Sequence, residues 1–489
     1  MVFPSHVFLF YFLPVALGLY YLCPARWHGL LLIGLSYLCY GWANPWFVLL
    51  LVFSTVLNYA CGEWISGRWR MPWLWRGEPA GRGLPATRQR KAALGLCIGG
   101  NLAFLGFFKY LGFVESGLNV MLGWFGGASV HFLTVALPVG ISFYTFKAMS
   151  YGLDVYQGAT KPARSLLDFA NYVALFPQLV AGPIGRFRDL GAQLEGRTHT
   201  LEKFCQGVFF FALGMSKKVL LADPMGQVAD AAFAAVSVPW HAAWAGALAY
   251  SFQIYFDFSG YSDMATGLGL MMGFEFRRNF DLPYLSQSIT EFWRRWHISL
   301  QNWLQDFIFM PLTKRLMRTR LRGKGHAIPW IGYMITFVAC GLWHGAAWTF
   351  VAWGGLHGLL LCLERLAGRK PIYAGLPPWC RTLATFALVL LSWVLFRAET
   401  LGGALSYLGA MFGLTDAGPS AALVPGLVYQ PHFLLVFVAC LLIHILRLDT
   451  WDLAQSLKPA KLVLAAAAFA ASVAMLFTQS YEPFLYSRF

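Results

Sequence analysis

Charge is what this sequence has least of. Asp, Glu, Lys and Arg together make up 12% of 489 residues, while 58% are apolar. That balance excludes an ordinary water-exposed surface, which carries roughly a quarter to a third of charged residues. No polar stretch is long enough for a separate soluble domain of any size. Paired cysteines are also missing: the nine cysteines are scattered singly, most of them in apolar runs, with no C-x-x-C. This argues against a zinc site or a disulfide framework and for small buried side chains. There is no G-x-x-x-x-G-K-[ST] loop for nucleotide phosphates and no G-x-S-x-G nucleophile elbow. What remains for chemistry is His, Asp, Glu, Arg and Tyr in apolar surroundings, which suits general-base transfer better than a Ser-His-Asp triad. No internal repeat is visible, which weakens an inverted-repeat transporter without excluding it.

What the sequence does have is a succession of apolar runs of about 20 residues, each long enough to cross a hydrocarbon core of roughly 30 Å as a helix. The pattern predicts an all-α polytopic membrane protein, a single integral membrane domain over 1–489. Candidate spans lie near 4–22, 29–42, 45–66, 92–111, 131–153, 168–184, 201–221, 242–272, 327–346, 348–365, 379–397, 430–447 and 460–479. The first lacks a basic n-region and a cleavage site, so it reads as a retained span. The run 242–272 is expected to break around Gly260. A net charge of +15 collects in short loops and fits the positive-inside rule better than a nucleic-acid partner. Residues 66–91 carry Arg68, Arg70, Arg76, Arg82, Arg88, Arg90 and Lys91 against Glu78, and 314–324 carry Lys314, Arg315, Arg318, Arg320, Arg322 and Lys324. Both loops are placed in the cytoplasm.

Residues 289–300, ITEFWRRWHISL, concentrate charge where little is expected. From Glu291 to Phe309 there is no Gly or Pro, so one helix stopped by Pro311 is predicted. Phe292, Trp296, Leu300, Trp303 and Phe307 would form an apolar stripe, with Arg294, His297, Gln301 and Gln305 on a polar face. That face either binds lipid phosphates at the interface or lines a cavity open to the cytoplasm. Glu291 reaches Arg294 and Arg295 at i+3 and i+4.

His344 stands about 17 residues beyond Ala327, roughly 25 Å of helix rise. The next run returns to Glu364, Arg365, Arg369 and Lys370, so His344 belongs near the far end of a hairpin. It is either a functional group or a helix-packing hydrogen bond. His357, set among glycines, reads as structural. Asp257 and Asp263 read as buried carboxylates pinning a broken helix, with a proton or substrate relay as the alternative.

YFDFSGYSDMATGLGLMMGF, NFDLPYLSQSITEFWRRWHISL and GLWHGAAWTFVAWGGLHG together resemble the membrane-bound O-acyltransferase (MBOAT) family. The likeness is greatest to its branch containing the membrane subunit of bacterial alginate O-acetylation. MVFPSHVFLFYFLP, LPVGISFYTFKAMSYGLDVY, FPQLVAGPIGRF and EPFLYSRF are similar to the same branch, so the resemblance covers most of the chain. It departs at Gln301 and Gln305, where the branch pattern has Ser and Arg, and in the loop that follows.

The resemblance implies a fold of about eleven transmembrane helices, with re-entrant or interfacial helices, around a central funnel and tunnel. It implies a bacterial inner-membrane enzyme that passes acetyl from acetyl-CoA or another cytoplasmic acyl thioester, with no bound cofactor, to hydroxyls of an exported polysaccharide. A periplasmic or lipid-anchored partner acetyltransferase would take part. His344 would be catalytic and His297 would line the tunnel below it. Arg294, Arg295, Trp296, Gln301 and Trp343 would receive the donor, supported by Asp257, Asp263 and Glu291. O-acetylation of peptidoglycan, cellulose or another exopolysaccharide, or transport of a polar substrate, are the rival functions.

Overall fold

A computed structural model of the chain describes residues 1–42, 44–68, 87–133, 135–235, 238–318, 327–368, 370–415, 423–478 and 484–485. Among the described residues every regular element is helical. Helices Trp46–Ser66, Arg88–Trp124, Leu201–Ala234, Pro378–Arg397 and Pro459–Thr478 are long and apolar enough to cross a bilayer, and shorter apolar helices accompany them. Their outward faces carry large apolar side chains such as Leu49, Phe53, Leu383 and Val463, as lipid-facing helices do. Of the basic loop residues, Arg70, Arg76 and Arg82 lie outside the described residues, as do Glu78, Arg320, Arg322, Lys324, Arg369 and most of EPFLYSRF.

The chain divides into two compact units, Met1–Gly207 with Ala265–Phe276, and Val208–Met264 with Arg277–Phe489. In the first, helices Trp46–Ser66, Arg88–Leu105 and Ile141–Gln157 pack together. Arg90 is buried there and donates to the carbonyls of Ile65 and Tyr156, so it closes two helix ends rather than serving as a free loop charge. A buried Arg186–Asp154 pair lies in the same unit. Two expected spans are shorter than their apolar runs. The run 131–153 becomes helical only at Ile141, after Gly140 at φ 74°, and 168–184 divides into Leu166–Ala174 and Phe176–Leu179. Pro177 and Pro183 punctuate the second run, since neither can donate to a continuing helical ladder.

The second unit holds the elements that matter for function: α1 (Trp240–Met271) as far as Met264, α2 (Ile289–Arg295), α3 (Ile298–Leu304), α4 (Ala327–His344), α5 (Trp348–Leu366) and α6 (Pro378–Arg397). The expected break at Gly260 does not occur, because α1 is continuous for 32 residues. Gly260 serves close packing instead: a Cβ there would lie 2.6 Å from the Gly214 carbonyl oxygen, and one on Gly214 equally close to that of Gly260. Along this contact Lys218 Nζ lies 2.9 Å from Asp257 and 2.5 Å from Asp223, and Lys217 Nζ lies 2.7 Å from Asp263. The carboxylates therefore pin an intact helix.

The predicted single helix over 291–309 is also corrected. It is interrupted between α2 and α3 by Trp296 in extended geometry and His297 at φ 44°, ψ 54°. The segment 279–281 pairs with the interruption: the Ile298 amide donates to the Asn279 carbonyl (2.9 Å) and the Asp281 amide to that of Arg295 (3.0 Å). This neighbouring loop segment thus satisfies backbone groups that the break would leave open. Pro311 does not end the run, because a π-turn over Gln305–Phe309 leads into a further helix, Met310–Leu316, with the proline in its first turn.

Helices α4 and α5 form a close antiparallel hairpin. A Cβ on Gly341 would meet the Phe350 carbonyl oxygen at 2.1 Å, and one on Gly354 that of Phe337 at 2.2 Å. Gly354→Ala is therefore expected to force the helices apart at a cost of about 1–3 kcal/mol. The measurement is thermal unfolding in detergent beside Gly355→Ala, where a Cβ meets nothing within 4 Å. Equal melting of the two variants would contradict the packing argument.

Candidate active site

His344 is the last residue of α4, at the hairpin reversal the sequence predicts. The tight hairpin pushes its ring into an aromatic enclosure. Trp343, Phe396 and Trp353 have ring centroids 4.8, 5.2 and 5.3 Å away, and the residue is 3% exposed.

His297 occupies the left-handed turn between α2 and α3 and is wholly buried. It departs from the expected polar face, because the change of backbone hand swings it inward while Arg294, Gln301 and Gln305 stay together. Phe258 meets it edge-on at 4.6 Å, and Trp343 lies at 6.2 Å. Both imidazoles therefore contact the same indole. The sequence separates them into an entrance group and a deeper one; the structure brings them into one aromatic neighbourhood.

Beside this neighbourhood is a cavity of about 190 Å³. Helix α2 contributes Thr290, Trp293 and Arg294, α3 contributes Gln301 and Leu304, and the π-turn contributes Gln305 and Phe309. Tyr333, Thr336 and Phe337 of α4 and Leu361 of α5 complete it. Arg294 is exposed and makes no ion pair among the described residues. Gln301 Nε2 donates to Gln305 Oε1 at 3.3 Å. Trp293 forms the wall toward the histidines, packing edge-on against Phe337 (4.8 Å) and Trp353 (5.8 Å), and Trp353 in turn contacts His344. Neither His297, His344, Trp296 nor Trp343 lines the cavity.

The other expected site residues are placed as follows. Glu291 pairs with Arg295 at 2.8 Å, as the i+4 spacing predicts, and with its other oxygen accepts the Gln287 amide. Arg295 also donates to the Asp281 carbonyl. Trp296 is 1% exposed and packs against Phe280, Phe292 and Trp393. His357 is buried and has both ring nitrogens engaged: Nδ1 accepts from Trp293 Nε1 at 3.2 Å, and Nε2 donates to Ser392 Oγ at 3.0 Å. An indole N–H can only donate, which fixes that tautomer and gives His357 the structural character read from its glycine neighbours.

Two important residues had no functional role in the sequence reading. Glu364, read only as part of a charged flank that sets topology, is buried and accepts the amides of Ile289 and Thr290 and the Thr290 hydroxyl, so it caps α2 from α5. Asn279 holds His297 and Ser299 from a loop. His444 and Asp449 have the H-x-x-x-x-D spacing found in soluble acyltransferases, yet they serve separately. His444 Nδ1 lies 2.8 Å from the Cys440 carbonyl, and Asp449 accepts the Trp451 amide.

Residues 162–395, which contain the whole cavity and both histidines, match the model for MBOAT, the membrane-bound O-acyltransferase family. Over 416 residues the chain is 46% identical to the probable alginate O-acetylase AlgI of Pseudomonas putida, covering 85% of this chain and 81% of that protein. It is 33% identical over 452 residues to the peptidoglycan O-acetyltransferase of Helicobacter pylori, covering 85% and 80%. It is 31% identical over 281 residues to the teichoic acid D-alanyltransferase of Streptococcus thermophilus, covering 53% and 68%. The chain belongs to the membrane-bound O-acyltransferase family. It is a multi-pass membrane acyltransferase.

Proposed function

We propose that the protein transfers acetyl from a cytoplasmic thioester, acetyl-CoA or another acyl thioester, to hydroxyls of an exported polysaccharide of the alginate type. It would act in the bacterial inner membrane, with about eleven crossings around a tunnel, together with a periplasmic or lipid-anchored acetyltransferase. The observation that carries this reading is the meeting of two buried imidazoles on Trp343, with His344 linked through Trp353 to the Trp293 wall of a cavity whose Arg294 makes no ion pair among the described residues.

His344 acts as the general base. It takes the proton of the acceptor hydroxyl as that oxygen bonds to the thioester carbonyl carbon; the C–S bond then breaks, and the thiol leaves with the proton returned by the imidazolium. The aromatic enclosure keeps water from competing for the acyl group. Arg294 binds a phosphate of CoA or of a phosphopantetheine arm at the cavity, beside the Gln301 amide. Arg295, held by Glu291, and Trp296 shape the α2 end, while Asp257 and Asp263 fix α1 without taking part in the chemistry. Arg294→Ala is expected to raise KM for acetyl-CoA about tenfold with little change in kcat. Initial rates in proteoliposomes check this, and an unchanged KM would move donor binding away from the cavity.

The second reading, peptidoglycan as acceptor, is favoured by the Helicobacter pylori relative, and the alginate-type reading by the higher identity to AlgI. A deletion strain separates them through ester-bound acetate measured in secreted polysaccharide and in isolated peptidoglycan. Loss from the secreted polymer alone is expected; loss from peptidoglycan alone would reverse the assignment.

A further inference from the structure

We infer that Asn279 is a positioning residue for acyl transfer: it holds His297 as the Nδ1–H tautomer, so that Nε2 presents a lone pair to a hydrogen-bond-donating group of the substrate. The inference rests on reading His297 as part of the transfer site.

The tautomer follows from the hydrogen bonds. The Ser299 backbone amide, which can only donate, lies 3.2 Å from Asn279 Oδ1, and the Ser299 hydroxyl donates to the same oxygen at 2.8 Å. The opposite end of the amide, Nδ2, donates to Ser262 Oγ at 3.1 Å. The atom facing His297 is therefore the oxygen, and an amide oxygen can only accept. His297 Nδ1 lies 3.2 Å from it and 3.4 Å from the Ser299 hydroxyl, whose own proton goes to Asn279 Oδ1 over the shorter distance, so Nδ1 carries the proton that faces the amide oxygen. In a neutral ring Nε2 is then the lone-pair nitrogen.

Nε2 is buried and has no hydrogen-bond partner among the described residues, and the Phe258 and Phe280 rings beside it carry no donor. His357 provides the contrast, with both nitrogens satisfied. A buried acceptor left open is unfavourable, and so is a left-handed backbone at a residue other than glycine. Both occur at His297, and Asn279 secures the arrangement three ways: by its carbonyl to the Ile298 amide, by Oδ1 to Ser299, and by Oδ1 to the ring. The group that completes Nε2 is an O–H or N–H, either the acceptor hydroxyl or an amide of the donor's pantetheine arm.

The test uses full-length protein in nanodiscs with 15N-labelled histidine, the His297 signals being those lost in His297→Ala. Wild type is expected to show a protonated Nδ1 and a bare Nε2; a protonated Nε2 would overturn the inference. Asn279→Leu is expected to mix the tautomers and lower acetyl transfer about 10- to 100-fold, while Asn279→Asp, which keeps an acceptor oxygen, restores the tautomer and most of the rate. Full activity in Asn279→Leu, or equal loss in both variants with the tautomer unchanged, would contradict it. Full activity in His297→Ala beside the expected wild-type tautomer would instead remove His297 from the reaction, and the positioning role with it. In Asn279→Leu, a rise in KM for acetyl-CoA alone assigns the Nε2 contact to the donor arm, and a rise for alginate oligomers alone assigns it to the acceptor hydroxyl.

Discussion

His344→Ala is expected to lower acetyl transfer by about 10²–10⁴-fold, the range lost when a positioned general base is removed. The protein should remain at normal abundance in the membrane. The ring ends a helix and is packed by Trp343, Trp353 and Phe396, while the close glycine contacts of the hairpin at Gly341 and Gly354 are with the backbone of Phe350 and Phe337, not with the imidazole. His357→Ala should behave differently. It strips the acceptor from the buried Trp293 N–H, while the Ser392 hydroxyl keeps its bond to the Val389 carbonyl, and leaving that N–H unpaired should reduce folded yield in proportion to activity. Rates per folded molecule, taken from fluorescence-detected size exclusion and radiolabelled acetyl transfer, separate the cases. A His344→Ala protein with wild-type specific activity would exclude that residue from the chemistry.

Lys218→Ala is expected to have the largest effect on stability. The ammonium lies between Asp257 and Asp223, and all three residues are at most 9% exposed. Removing it leaves two carboxylates facing each other with no counter-charge, a change that costs about 3–5 kcal/mol. Most of the protein should then fail to accumulate. Lys203→Ala breaks an ion pair in which Glu275 is largely exposed and should cost under about 1 kcal/mol. Melting temperatures in detergent, with in-gel fluorescence for abundance, compare the two. Similar stability in both variants would mean that the buried cluster does not hold α1.

The membrane class was legible because it depends on composition, and the hairpin ending at His344 because basic flanks and helix rise are local properties. The Glu291–Arg295 pair was legible for the same reason, since i+4 spacing on a helix brings side chains together. The turn at His297 was not. Nothing between Glu291 and Phe309 breaks a helix by itself; Asn279 and Asp281 do so from a loop upstream, and no periodicity carries that information. Glu364 was read only as part of a charged flank because it sits beside arginine and lysine in sequence, although its carboxylate turns back to cap α2. The expected break at Gly260 confused two uses of glycine: a close crossing with Gly214 looks the same in sequence as an interruption. Pro311 misled similarly, since a proline that ends one helix also fits the first turn of another.

The most direct test of the central claim uses inverted membrane vesicles, given acetyl-CoA labelled in both the acetyl and the CoA parts on the outer, originally cytoplasmic, face. The account predicts acetyl ester accumulating inside, on polysaccharide or the partner acetyltransferase, with one free CoA released outside for each ester and neither product formed by the His344→Ala protein. Movement of a polar substrate across the vesicle membrane with no thioester cleaved would contradict it and make the protein a transporter.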